Sequence, residues 1–472
     1  MTGTGLVMSV AEAREADVVV VGGGQAGLAA AITAAEAGAR VLLLEKSPRS
    51  RRGGNSRHTR NLRPLHNAAQ PPLEGAYDYR EYADDLARVT AGFTDEPLAE
   101  LTLRESAACV DWLQERGVAF QKPLTGTLHL ARTNAFFLGG GKAMMNALYR
   151  HAEHLGIEIL YAVEDVQLDC HHGDFKRLSF QLWGTVYEVQ ARSLVAAAGG
   201  FEANHEWLAD GWGEAAENFL VRGTPDNQGE ILAQLLAAGC ESVGDVSQCH
   251  AVAIDGRSPR FDGGICTRVD AVPFGIVVNR EGARFYDEGE DFWPKRYAIW
   301  GRLIAKQPGQ VAYSIIDSQS HDLFMPTVYP ALEADSIGEL AELLGLPVNE
   351  LEATVAQFNH AVRRGEFNAE VLDDCRTEGL AVEKSHWARP LTRPPYRAWP
   401  LRPGITFTYM GVKVDEKARV QWHAGKTSQN IFAAGEIMAG NILGQGYLAG
   451  IGITIGNVFG RIAGREAALY AA

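Results

Sequence analysis

Residues 18–46 read VVVVGGGQAGLAAAITAAEAGARVLLLEK. Three assignments compete for them: a membrane span, a buried structural core and a nucleotide seat. A span needs about 20 apolar residues in a row, whereas Gly22, Gly23, Gly24 and Gly27, then Gly38 and Arg40, interrupt this run. The residue types instead spell strand, tight turn, helix, strand. Residues 17–21 are short and β-branched, as a buried parallel strand is; 25–37 are alanine-rich and helix-prone; 40–44 form a second strand. Gly22-x-Gly24-x-x-Gly27 supplies in turn the tight bend, the close backbone approach to a pyrophosphate, and the close packing of helix on strand. Glu45 ends the second strand, where a carboxylate accepts from a ribose hydroxyl and disfavours a 2′-phosphate. A lone GxGxxG is weak evidence, but here strand, helix, second strand and terminal acid all fall in place.

Composition bounds the rest. The chain has 472 residues, 46% hydrophobic and 22% charged, enough for two or three soluble domains. Its net charge is -14, and no Lys/Arg block is longer than Arg51-Arg52, so nucleic-acid binding has little electrostatic support. Residues 1–16 contain Glu12, Arg14 and Glu15 and no apolar segment, which argues against a secretory signal and reads as a short mobile leader. Six scattered cysteines, 109, 170, 240, 249, 266 and 375, never form CxxC. That spacing points to no metal site and to free thiols in a reducing cytoplasm. Cys249 beside His250 reads more simply as a half-buried small residue at a strand end.

No second GxGxxG unit with a downstream acid follows, so one dinucleotide is expected. Gly139-Gly140-Gly141-Lys142 reads as a helix-starting turn. Near the end, IFAAGE (431–436) is a short apolar strand and FGRIAGREAA (459–468) a terminal helix that returns the chain to the first domain. GVKVD (411–415) is expected to join IFAAGE in completing the first sheet, and the Pro-rich stretch 389–403 reads as a hinge.

With these segments placed, the chain resembles the fumarate reductase and succinate dehydrogenase flavoprotein family, most closely its FAD-dependent tricarballylate dehydrogenase branch. The stretches that carry the resemblance are RRGGNSRHTRNLR (51–63), ARTNAFFLGGGKA (131–143), NREGARFYDEGEDFWPKRYAIWGR (279–302), FTYMGVKVD (407–415) and GQGYLAGIGITIGNVFGRIAG (444–464). The resemblance implies an α/β fold: a Rossmann-like, glutathione-reductase-type FAD domain, 1–249 and 405–472, with an inserted α+β capping domain, 250–404. It implies non-covalent FAD contacted by Gly22, Gly24, Gln25, Ala26, Gly27, Glu45, Lys46, Gly53, Gly54, Asn55, Ser56, Gly199, Gly435, Glu436, Gly452 and Ile453. In such a family the loop GGNSRHTRN passes along the isoalloxazine, so Asn55 and Ser56 would hydrogen-bond near N5 and O4. His58 would face substrate or pack under the ring.

Catalysis is expected from Arg296, with Lys295 next, and from His250 and Tyr447; the family draws its proton-transfer arginine from the capping stretch. A guanidinium acts as a base only within a carboxylate relay, and Asp287, Glu288, Glu290 and Asp291 lie just upstream. Substrate contacts are expected from His58, Arg60, Thr408, Tyr409 and Gln445. Arginines 51, 52, 57, 60 and 63 are either a solvated face or a receiver for a polycarboxylate. The family's histidine before its MGG turn is Phe407 here, and its carboxylate-clamping arginine before the last helix is Tyr447. The expected reaction is oxidation of a CH-CH bond flanked by carboxylates, tricarballylate to cis-aconitate, with a separate electron acceptor: an iron-sulfur or membrane protein, or a quinone. A fumarate- or urocanate-type reductase, a ketosteroid-like desaturase and a non-catalytic flavin-binding protein are the alternatives. No metal and no transmembrane segment are expected.

Overall fold

The computed structural model describes residues 13–122, 130–171 and 173–472. Residues 1–12 of the expected leader lie outside this set, and residues 13–16 already belong to the first strand. β1 (Ala13–Val21), α1 (Gln25–Glu36) and β2 (Val41–Glu45) form the unit expected from the sequence. Val18, Val19 and Val20 are all fully buried, which explains an unalternating run: a parallel strand covered on both faces has no solvent side. α2 (Gly140–His154) packs beside α1 and leads to β3 (Glu158–Tyr161), which pairs in parallel with β2.

Next come β4 (Glu164–His171), β5 (Asp174–Leu182) and β6 (Thr185–Ala196), an antiparallel meander whose last strand enters the parallel sheet beside β1, Val20 opposite Val195. A second sheet then begins. β7 (Cys249–Asp255), β8 (Ile276–Asn279), β9 (Ala312–Ile316) and β10 (Tyr396–Thr408) pair antiparallel in the order β7-β10-β9-β8. One of its cores gathers Val252, Ile254, Trp300, Trp399 and Leu401; another gathers Ile276, Val278, Ile315 and Ala398 with residues of the helices Ile337–Leu344 and Val348–Ala361. The alternation along β7, β8 and β10 sends neighbouring residues to opposite sides, as a strand period of two requires.

The chain finally returns with β11 (Arg419–Trp422), β12 (Lys426–Ala433) and α4 (Ile451–Ala471). β12 lies parallel to β6, Ile431 opposite Leu194, giving the sheet order β11-β12-β6-β1-β2-β3. Gly456, Gly460 and Gly464 of α4 stack at four-residue spacing against Ala26, Ala29 and Ala30 of α1. This is the small-residue contact that lets two helices share one face of the sheet.

Three expectations need correcting. Gly411–Val412 pairs with Ser242–Val243 in a separate two-stranded ladder, so GVKVD does not enter the first sheet and the β11-β12 hairpin does. The Pro-rich stretch is not a hinge from Tyr396 onward: it is β10, with Pro400 opposite Tyr313 and Pro403 opposite Ala253. α4 starts eight residues before the expected helix, at Ile451, because Gly452 and Gly456 disguise its first turns. The six cysteines are free, and burial pushes the Cys249 thiol up to about 12, so it is not a reactive thiolate. Among the described residues no helix is long and apolar enough to cross a membrane, and no group of three or more His, Cys, Asp and Glu could hold a metal.

Candidate active site

The cavity starts at the glycine turn. Gly22 has φ +108°, and a Cβ there would sit 2.3 Å from the Ala197 oxygen; a Cβ on Gly27 would sit 1.9 Å from the Gly22 oxygen. The first glycine makes the bend and the third makes the helix contact, as the spacing predicts. Gly22, Gly24, Gln25 and Ala26 line the cavity at the N-terminus of α1, where free N–H groups and the helix dipole favour a phosphate. The Gln25 N–H donates to Ser56 Oγ (3.1 Å), while both polar atoms of the buried Gln25 side chain lack a protein partner. Glu45 lines the same space, and burial raises its carboxyl above the ordinary value against three hydrogen bonds that lower it. It accepts from the Ser47 N–H (2.7 Å), the Tyr149 hydroxyl (3.2 Å) and the Gly53 N–H (3.4 Å). A carboxylate has about four acceptor positions, so capacity for a ribose hydroxyl remains.

Lys46, Gly54, Asn55, Ser56, Gly199, Gly435, Glu436, Gly452 and Ile453 complete the elongated seat, whereas Gly27 and Gly53 sit behind it. A glycine floor, a helix N-terminus, a buried acid and an orphaned amide together fit FAD. One expected contact changes role. Asn55 Nδ2 donates to Glu202 and to the Thr406 carbonyl (2.9 Å), and its Oδ1 accepts from the Thr224 N–H (2.9 Å). Its amide is therefore committed to tying the loop Gly54–His58 to three other segments and is not free for flavin N5 or O4. Beneath lies a buried acid pair. Glu436 accepts from the Thr408 N–H (2.8 Å), and burial together with neighbouring Glu202 pushes its carboxyl well up, so the pair holds a proton.

At the far end the lining becomes cationic and aromatic: Arg60, Arg222, His250, Arg268, Tyr297 and Tyr447. Arg268 is spent on Asp270, at 2.5 and 2.8 Å, with the Trp293 indole N–H also on Asp270 (2.6 Å). Arg222 is buried; Nε reaches one carbonyl, Gly264 O, at 3.5 Å, and one terminal nitrogen has no partner. Arg60 is half-buried, donates to the Met325 sulfur (3.2 Å), and leaves Nε without a partner. Neither Arg60 nor Arg222 meets a carboxylate among the described residues. Burial and the charge of Arg268 lower both guanidinium pKa values to about 10.

His250 is the second residue of β7, and a bulge between it and Ala251 re-aims it at the cavity. Its Nδ1 lies 2.9 Å from Thr406 Oγ1, its ring stacks on Tyr447 at 3.9 Å, and Nε2 has no partner. Burial, then Arg222, Arg268 and Arg302, hold the imidazole well below its ordinary pKa. The Tyr447 hydroxyl accepts from the Gly452 N–H at 3.1 Å. Tyr297 lies over Arg268, 4.6 Å from guanidinium to ring centroid, and edge-on to His250 at 5.5 Å. Its hydroxyl makes no hydrogen bond among the described residues. His58 also lines the cavity, with Nε2 2.8 Å from Asp262.

Several expected residues are elsewhere. Arg296 donates to Glu290 (2.5 Å) and to the Tyr286 hydroxyl (2.8 Å) in a separate cavity shared with Arg88, Arg302 and Gln445. Lys295 pairs with Asp85 at 2.8 Å. Neither reaches the flavin seat, since both are satisfied by carboxylates outside it. Gln445 faces that second cavity; Thr408 and Tyr409 are buried behind the seat, Thr408 bound to Glu436 and Tyr409 packed near Phe407. Of the five arginines in 51–63, Arg60 alone lines the cavity. Arg63 is buried against Tyr77 (2.9 Å) and the Ala449 carbonyl (2.9 Å), and Arg52 lies over the Tyr149 ring. Arg222, Arg268 and Tyr297 line the cavity without having been expected from the sequence. The signal for Tyr297 was present, one position past the residue chosen.

The FAD binding domain family matches residues 17–453. A probable fumarate reductase, Ifc3, from Shewanella frigidimarina is 29% identical over 96% of this chain and 75% of its own length. An NADH:acrylate oxidoreductase from Vibrio harveyi is 28% identical over 96% of this chain, which spans half of that protein. Among solved structures, the open conformation of a flavocytochrome c3 fumarate reductase superimposes with a TM-score of 0.74 at 25% identity, covering 97% of this chain and 79% of that one.

Proposed function

This chain belongs to the FAD-binding domain family and is an FAD-dependent oxidoreductase of the fumarate reductase class acting on CH-CH bonds; from that premise we propose that its substrate is a polycarboxylate, tricarballylate, oxidised to cis-aconitate. The observation that carries this reading is a pair of guanidiniums, Arg60 and Arg222, lining the cavity with no carboxylate partner among the described residues. An uncompensated buried charge is costly to hold, and a bound anion removes the penalty. Four cationic or proton-donating groups, Arg60, Arg222, Arg268 and His250, face one small volume, a set that suits several carboxylates better than one.

Bound FAD supplies the oxidation by accepting a hydride. The residues of this chain do the rest. Arg60 and Arg222 grip carboxylates and fix which two carbons face the seat; Asp270 holds Arg268 in one orientation. With Nδ1 taken by the Thr406 hydroxyl, neutral His250 presents Nε2–H to a carboxylate oxygen. When the proton leaves the neighbouring carbon, negative charge spreads onto the adjacent carboxylate, and fixed guanidiniums stabilise that charge more than the ground state. Electrons then pass to a separate acceptor, a quinone or an iron-sulfur protein.

Equilibrium binding tests the assignment. Tricarballylate, succinate and their methyl esters are titrated into the FAD-loaded protein, and the visible flavin spectrum is followed. Affinity that rises with the number of free carboxylates and falls with salt supports the reading; tighter binding of the esters refutes it. Net rates with an artificial acceptor and an artificial donor separate oxidation from reduction of the corresponding alkene.

A further inference from the structure

We infer that Tyr297 is the catalytic residue that carries the proton on the carbon next to the hydride-transferring carbon. The inference rests on the CH-CH polycarboxylate reading above and deepens it. Proton transfer in a closed cleft needs a group that reaches the substrate, exchanges a proton, and is not tied to another partner. Arg296 and Lys295 fail the first condition, since Glu290 and Asp85 hold them outside the cavity. Arg60 and Arg222 serve as the carboxylate anchors of that reading, and Arg268 is locked by two bonds to Asp270. His250 has Nδ1 engaged with Thr406 and one face covered by Tyr447, and three guanidiniums oppose its protonation. The Tyr447 hydroxyl is drawn toward the start of α4 by the Gly452 N–H.

Tyr297 remains. It is 4% exposed, lines the cavity, and has no hydrogen-bond partner for its hydroxyl among the described residues. It opens the turn Tyr297–Ile299 directly after the short helix Trp293–Arg296, so the side chains of Arg296 and Tyr297 diverge: one meets Glu290, the other the cavity. Tyr297 packs in the second sheet's core, whereas the dinucleotide seat is built on the first. Hydride acceptor and proton acceptor are thus carried by different parts of the fold. Burial raises the phenol above its ordinary value, and the charges of Arg268, Arg222 and Arg60 oppose burial without reversing it, so the phenol is the resting form.

The balance is complete. In the oxidative direction one C–H bond gives a hydride, two electrons and a proton, to bound FAD. The neighbouring C–H bond gives its proton to the Tyr297 oxygen, and its electron pair becomes the second bond of the alkene. The base in this direction is the phenolate, formed when the resting phenol gives its proton to solvent as pH rises; on taking the substrate proton it is a phenol again, and in reduction that phenol is the donor.

The test compares FAD-loaded wild type, Tyr297→Phe and Arg296→Lys, with two readouts. Polycarboxylate binding is read from the flavin spectrum, and anaerobic flavin reduction by tricarballylate is read across the pH range. Tyr297→Phe keeps the ring and is expected to bind within about threefold of wild type. Its reduction rate falls by about 10²–10⁴-fold and no longer climbs with pH. Arg296→Lys keeps rate and affinity. Tyr297→Phe with a rate near wild type and an unchanged pH profile overturns this inference and leaves the polycarboxylate reading standing. Failure of wild type to bind any polycarboxylate overturns both.

Discussion

Replacing Arg222 by methionine sets folding and ligand binding in opposite directions. The guanidinium is 3% exposed, with one 3.5 Å contact to a carbonyl and no carboxylate among the described residues. Burial and Arg268 bring its pKa down to about 10. The unfolded chain binds this proton more tightly than the folded chain, so the destabilisation is fully present below pH ~10 and disappears only above the unfolded value. At about 1.4 kcal/mol per pKa unit, the folded state gives up roughly 3 kcal/mol to keep this cation. Methionine keeps an apolar stem without the charge. The ligand-free, FAD-loaded variant should gain about 1–3 kcal/mol, the lower figure allowing for lost packing. In a chain of this length that is an upward shift of roughly 1–3 °C in Tm. Carboxylate affinity should fall by about 10²–10³-fold, the loss of a charge-assisted contact in a desolvated site. Differential scanning calorimetry and spectral titration on the same samples measure both. A variant that melts below wild type without ligand and still binds tricarballylate at wild-type affinity would show that Arg222 is neither a folding cost nor a carboxylate anchor.

Other perturbations have equally definite outcomes. Gly27→Ala drives a Cβ to within 1.9 Å of the Gly22 oxygen, and the protein should be recovered without flavin colour. Asn55→Asp should be more damaging than Asn55→Ala at neutral pH, because it places a third carboxyl beside Glu202 and Glu436; flavin retention on gel filtration checks the order. His250 is held neutral, so its contribution to stability is full above about pH 6.5 and is lost as pH falls, when the unfolded chain takes up a proton the folded chain refuses. Melting curves from neutral to acid pH should show this slope, and His250→Gln should flatten it.

The first sheet was legible because its signal is local. Val18 to Gly27 carry strand, bend and helix contact within ten residues, and Glu45 confirms the register. The cationic pocket was legible only in part: His58, Arg60, His250 and Tyr447 were expected at the site and line the cavity, whereas Arg222 and Arg268 come from separate segments where each looks like a surface arginine. The same holds for Asn55, whose loop invites a flavin contact while its partners Glu202, Thr224 and Thr406 are distant in sequence. Arg296 and Tyr297 show a finer limit. Successive residues of a helix point about 100° apart, and a four-residue helix such as Trp293–Arg296 has too little periodicity to phase. The proline-rich run misled in a similar way: composition suggested a hinge, but pairing with β7 and β9 made it the central strand of the second sheet.

Substrate choice rests on the cation-lined cavity set against the flavin seat. Its most direct measurement is anaerobic mixing of the FAD-loaded protein with tricarballylate, shorter dicarboxylates and an apolar ketosteroid, following the visible flavin band and the appearance of cis-aconitate. A cation-lined cavity should give bleaching by the tricarboxylate, with one cis-aconitate formed per flavin reduced. Bleaching by the steroid alone, with the polycarboxylates inert, would contradict it.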